Sequence, residues 1–156
     1  MIDMTCDIIP YVGIGAIKLG MNIESVRKYL KDQHAGFDQW VDPNKGMDPE
    51  IPWTFIRIEK SIVLTFVEGV LFEIFLENKY QGKLPNGIRI DMKMTDAEQI
   101  DQTLEYNDDD EDFVSKDGYW LGDLVETGKV ISITIFLPEV ENDDFFKYEW
   151  VNKYKE

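Results

Sequence analysis

The sequence predicts an α+β fold, a mainly antiparallel sheet with helices on one face. Three observations carry this: β-branched and aromatic runs follow one another between Trp53 and Glu77, an amphipathic helix pattern occupies Asn22 to Lys31, and a similar order of elements begins again after residue 84. The 156-residue length is that of one domain, 1–156, and 44% apolar residues with 13% aromatics supply material for a core.

The stretch "IGAIKLGM" alternates and ends near Gly20, as an entry strand or extended loop would. In "NIESVRKYLK" Asn22 is placed to cap a helix, and Ile23, Val26, Tyr29 and Leu30 recur at helical spacing. Lys28 and Lys31 lie at its C-terminal end, where the helix dipole favours cations. Residues 32–52 hold Gly36, Pro43, Gly46, Pro49 and Pro52 among polar side chains, which reads as loop.

Next come "WTFIRIE" (53–59), "SIVLTFVE" (61–68) and "VLFEIFLE" (70–77), separated by short breaks at Lys60 and Gly69. They predict a three-stranded meander. After Gly82, Pro85, Asn86 and Gly87, "GIRIDMKM" resembles "GAIKLGM" in alternation, and "TDAEQIDQTL" (95–104) resembles the first helix, with Ile100 and Leu104 matching Val26 and Leu30. "GYWLGDLVE" (118–126) and "KVISITIFL" (129–137) then read as strands around a Thr127-Gly128 turn. The pattern suggests two helix-plus-strands repeats, 12–80 and 84–138. In the tail 143–156, Phe146, Trp150, Val151 and Tyr154 predict a short amphipathic C-terminal helix.

The formal net charge is −15, from 31 acidic and 16 basic side chains. Such a field repels nucleic acid and anionic lipid and attracts cationic partners. Neither direct nucleic-acid binding nor membrane association is therefore expected. The apolar runs, such as "IVLTFV", are too short to span a bilayer, and Asp3 and Asp7 stand where a signal peptide would carry Lys or Arg. The expectation is a soluble, cytoplasmic protein whose lone Cys6 cannot form an internal disulfide.

Catalytic signals are sparse. His34 lies past the end of a helix pattern and Cys6 in a terminal segment, with nothing that pairs them as nucleophile and base. "GIGAIKLG" lacks the Lys-Ser/Thr ending of a phosphate loop and the spacing of a dinucleotide fingerprint. Zinc favours His and Cys, of which there is one each. No enzyme activity, catalytic residue, metal site or cofactor is expected.

Calcium is the main chemical rival. Asp108, Asp110 and Asp112 alternate like the first ligands of a helix-loop-helix calcium loop, but Phe113 stands where that loop needs Gly and Tyr119 where it needs Glu. A regulatory module binding calcium or a small ligand through residues 105–123 remains the alternative reading.

The acidic run "YNDDDEDF" (106–113) is the peak of a longer excess. Between Asp91 and Glu126 there are 13 acids and two bases, Lys93 and Lys116, which supply −11 of the −15. An acidic run often serves only solubility. Here Tyr106, Phe113, Tyr119 and Trp120 interleave with the charges, and Tyr and Trp anchor interface cores while charges steer at the rim. The predicted partner-binding surface comprises the acids Glu105, Asp108, Asp109, Asp110, Glu111, Asp112, Asp117 and Asp123 with the aromatics Tyr106, Tyr119 and Trp120. Its partner would be basic, and nucleic-acid-processing proteins form the largest such class.

The stretch "GIGAIKLGMNIESVRKYL" (13–30) resembles the G-x-I-x-L-G-M-x-x-x-x-V-x-x-x-L opening of small bacterial immunity proteins from contact-dependent growth inhibition and other polymorphic toxin systems. The resemblance implies a non-enzymatic inhibitor that binds a cognate toxin domain, often a nuclease, in the cytoplasm and blocks its active site. The oligomeric state is left open.

Overall fold

The computed structural model describes residues 1–155. Three two-residue strands, β1 (Ile8–Ile9), β2 (Gly13–Ile14) and β3 (Ile17–Lys18), make a small antiparallel sheet before helix α1 (Ile23–Asp32). Strands β4 (Phe37–Asp42), β5 (Trp53–Ile58), β6 (Ile62–Val67) and β7 (Val70–Glu77) follow. Helix α2 (Met94–Ile100) then precedes β8 (Glu105–Asn107), β9 (Asp112–Val114), β10 (Tyr119–Leu124) and β11 (Lys129–Phe136). The last eight strands form one antiparallel sheet in the order β4-β5-β6-β7-β11-β10-β9-β8. The α+β architecture with a mainly antiparallel sheet is as the sequence predicts.

Period-two alternation divides the strands between two faces. Ile56, Ile58, Ile62, Leu64, Ile74, Leu76, Leu121, Ile133 and Ile135 point to one side and are wholly buried. They pack against Val26 and Leu30 of α1, Met94 and Ala97 of α2, and Ile8, Ile14 and Ile17 of the small sheet. Each such aliphatic side chain contributes about 1.5–3 kcal/mol of transfer free energy. A second cluster, Val67, Val70, Phe72, Leu137, Phe145, Tyr148 and Val151, holds the C-terminal segment.

The two halves share one hydrogen-bond pattern. Before α1, Gly20 N–H donates to Leu71 O (2.7 Å), Leu71 N–H to Met21 O (3.0 Å) and Ile23 N–H to Gly69 O (2.8 Å). Before α2, Asp91 N–H donates to Val130 O, Val130 N–H to Met92 O and Met94 N–H to Gly128 O, each at 2.8 Å. Gly20 (φ +91°) and Asp91 (φ +75°) fill the same left-handed position, which Asp tolerates better than most side chains. Both inner hairpins carry a bulge at matching places, with Phe72 the extra residue in β7 and Ile131 in β11. At the join, Phe75 pairs with Thr134, flanked by Glu73 opposite Phe136 and Ser132 opposite Glu77. This register is what a local two-fold axis through the Phe75–Thr134 pair produces.

Four sequence expectations need correction. Phe37–Asp42 is strand β4, although residues 32–52 read as loop; as an edge strand it buries little, so it lacks an apolar alternation. Helix α2 begins at Met94 and ends at Ile100, with no side-chain cap. The hydrogen bonds match Val26 to Ala97 and Leu30 to Asp101, and Ile100 is 45% exposed, so the predicted Ile100–Leu104 match was three residues out of register. The acidic run is the turn of a hairpin, Asp108 to Glu111, with its ends in β8 and β9. Where the sequence predicts a helix over 143–156, whose last residue lies outside the described residues, residues 143–155 hold two 3-10 turns, Phe145–Lys147 and Glu149–Tyr154, broken at Tyr148 (φ +57°), with Phe145 buried in place of the expected Phe146.

Candidate functional site

The hairpin between β8 and β9 is built on a local side-chain turn. Asn107 Oδ1 accepts from the N–H groups of Asp109 (2.9 Å) and Asp110 (3.3 Å), and Glu111 takes a left-handed conformation (φ +57°). This holds Asp108, Asp109, Asp110 and Glu111 out in solvent, with Glu105 exposed beside them. Glu105, Tyr106, Asn107, Asp108, Asp109 and Val114 line a shallow depression of about 500 Å³. Among the described residues the four ion pairs are Arg27–Glu24, Lys28–Asp32, Lys153–Glu139 and Lys155–Glu68. None of them neutralises an acid between Asp91 and Glu126.

Asp112 differs from its neighbours in being half-buried. Burial, then the charges of Asp110, Asp123 and Glu111, push its carboxyl up to about 6. Its Oδ1 lies over Gly122 together with Ser132 Oγ: a Cβ on Gly122 would meet them at 3.4 and 2.3 Å.

The sheet divides the predicted surface. Tyr106 (51% exposed) rests edge-on against Phe113, centroids 5.1 Å apart, on the helix-bearing side. Trp120, Asp112 and Glu105 belong to the opposite face, where Trp120 packs on Phe136 at 4.6 Å. Asp123 of β10 is half-buried opposite the β11 bulge, and Asp117 is exposed in the turn before β10. Tyr119 is a correction: it is 1% exposed, and its hydroxyl donates to Asp101 and accepts from Asn86 Nδ2 (3.1 Å). It is a core residue and cannot anchor a partner.

The face opposite the helices holds residues the sequence analysis missed. One cross-strand row reads Trp40, Phe55, Thr65, Glu73, Phe136; the next reads Asp38, Arg57, Val63, Phe75, Thr134, Trp120, Val114, Glu105. Trp40 stacks on Phe55 (5.3 Å, 12°) with the Arg57 guanidinium 5.5 Å above its ring. Glu73 sits near the centre. Burial, with repulsion from Asp112 and Asp110 and only partial relief from Lys45, pushes its carboxyl up to about 7. The available signal is in "FEIFLE", where Glu73 and Glu77 flank Phe75 on the side opposite Ile74 and Leu76, which marks a face not buried in a core.

Among the described residues no three His, Cys, Asp or Glu side chains are grouped so as to hold a metal ion. No helix there is long and apolar enough to cross a membrane. Comparison with protein-family models, with curated proteins and with solved structures returned no match. Chemically, the arrangement offers carboxylates without cations beside exposed aromatic rings.

Proposed function

We propose that this chain is a non-enzymatic immunity protein that binds a cognate cationic toxin domain, a nuclease by charge class, in the cytoplasm and blocks its active site. The observation that supports this reading most directly is the uncompensated acidic end of the sheet. Five consecutive carboxylates, Asp108 to Asp112, are held by an ordered hairpin, and none is ion-paired among the described residues. Placing like charges together costs stability, and a partner carrying Lys and Arg relieves that cost on binding. A nuclease must present such a surface to neutralise phosphates, so carboxylates set where phosphates would lie can occlude it.

The test is co-purification of a basic partner, then association kinetics with Asp108, Asp109, Asp110 and Asp112 all changed to Asn. The association rate should fall by about tenfold or more and lose most of its salt dependence, with the fold intact. An unchanged association rate rejects the acidic hairpin as the binding site.

A further inference from the structure

We infer that the open face of the large sheet, not the hairpin alone, docks the partner, and that Glu73 on that face receives an arginine side chain of a basic protein. The inference rests on the inhibitor reading and names the group that would be recognised within it.

The first support is what lies uncovered. Both helices and the small sheet pack on the other side; the C-terminal turns cover the open face around Trp53, Val67, Val70 and Phe72, and Tyr11 packs edge-on against Phe136 there. Phe55, Val63, Phe75, Val114 and Trp120 stay half-buried and Trp40 is 39% exposed, so an apolar band runs across the sheet without a covering layer.

The second support is independent and polar. Thr65 (1% exposed), Thr134 (5%) and Ser132 (7%) point to this face, and none of their hydroxyls has a hydrogen-bond partner among the described residues. Among the described residues no side-chain nitrogen or oxygen is at once sealed from solvent and unpaired, so each hydroxyl still reaches the open side. Thr65 stands directly across from Glu73, and Thr134 lies on the diagonal from it. The Glu73 carboxylate likewise makes no hydrogen bond or ion pair there.

A carboxylate and two free hydroxyls within an aromatic band match one chemistry well. A guanidinium donates five N–H groups in a plane, pairs with a carboxylate through two of them, and stacks its face on Phe or Trp rings. A lysine ammonium gains from the carboxylate but not from the rings' flat faces to the same degree. Charge complementarity selects a basic partner over a second copy of this acidic chain, whose net charge of −15 would oppose self-association. Burial, then repulsion from Asp112 and Asp110, raises Glu73, and the repulsive part is relieved when a fixed cation arrives.

The experiment titrates agmatine, a small guanidinium probe, into the full chain followed by amide NMR, with n-butylamine and calcium chloride as comparisons. Saturable shifts centred on Thr65, Glu73 and Thr134, with dissociation on the order of millimolar, are expected. Glu73→Gln should keep a folded spectrum and weaken binding by about tenfold or more, and Thr134→Val should weaken it less. Shifts centred on residues 107–111, an undiminished response in Glu73→Gln, or the same pattern with calcium would overturn the inference. A basic protein that binds Glu73→Gln and the parent chain equally well would remove this inference and leave the inhibitor reading standing. Agmatine bound at Glu73, with a basic partner that associates equally fast when the hairpin aspartates are changed to Asn, would reject the hairpin as the binding site and leave this inference standing.

Discussion

Tyr119 donates its hydroxyl proton to the carboxylate of Asp101 inside the protein, and this pair ties β10 to the end of α2. The same carboxylate accepts from Ser115 Oγ (2.5 Å), Thr103 Oγ1 (2.7 Å) and Thr103 N–H (2.9 Å). Asp101 occupies the place that Leu30 fills in the other half, so one repeat closes its helix with an apolar plug and the other with a buried carboxylate. Burial alone would raise this carboxyl, but the bonds from Ser115, Tyr119 and Thr103 outweigh it and hold it below the ordinary aspartate range. Asp101→Asn turns a charged acceptor into an amide whose N–H groups face hydroxyl donors. It should cost about 1–3 kcal/mol in urea unfolding, with Tyr119→Phe costing less. Because the folded carboxyl is depressed, its contribution is complete above the unfolded value of 3.8 and is lost as pH falls below it. Asp101→Asn should therefore remove part of the acid-unfolding limb.

Glu73 and Asp112 act in the opposite sense. Their folded carboxyls rise to about 7 and about 6 from ordinary values of 4.5 and 3.8, so the folded state holds protons that the unfolded chain releases. That contribution is complete below the unfolded values and lost as pH rises through 6 and 7. Stability should be greatest near pH 4–5 and fall by about 1–3 kcal/mol toward pH 8. The double variant Glu73→Gln with Asp112→Asn should flatten that slope. A parent chain whose unfolding midpoint in urea is the same at both ends of this range would contradict the placement of the two carboxylates.

The strands β5, β6 and β7 were legible because they alternate toward a real core, and α1 because Asn22 caps it, its Oδ1 accepting from Glu24 N–H at 2.8 Å. Strand β4 hid because an edge strand with Asp38, Gln39 and Asp42 needs its backbone more than its side chains. The acidic hairpin hid for a related reason: strands of three residues, Glu-Tyr-Asn and Asp-Phe-Val, are too short to show a period, and the Asn107 turn does the ordering. Of the candidate surface, the charges could be read from composition. Which side Tyr106, Tyr119 and Trp120 face could not, because a one-residue difference in strand register sends a side chain to the other face.

Gly122 is a packing constraint at the site itself. A methyl group there would meet Ser132 Oγ at 2.3 Å, and Asp112 Oδ1 lies 3.4 Å away. Gly122→Ala should destabilise by about 1–3 kcal/mol and disturb Asp112. Adding Ser132→Ala should recover most of the loss, because the clash is with the hydroxyl and Ser132 Cβ stands at 3.6 Å. Failure of that rescue in thermal unfolding would place the strain in the backbone instead.

One hydroxyl joins the C-terminal turns to the sheet inside the second apolar cluster. Tyr148 donates to Gly46 O (2.7 Å) and accepts from Trp53 Nε1–H (2.9 Å), joining the tail to β5 and to the turn after β4. Tyr148 is 4% exposed, so removing the oxygen leaves both partners short of a bond away from water. Tyr148→Phe should cost about 1–3 kcal/mol. Trp53→Phe loses the same bond together with its edge contact to Phe72 at 4.9 Å, and should cost about as much or more. The double variant should cost less than the two together, since the Trp53–Tyr148 bond can be lost only once. Costs that add fully in denaturant unfolding would mean that this bond contributes nothing to holding the tail.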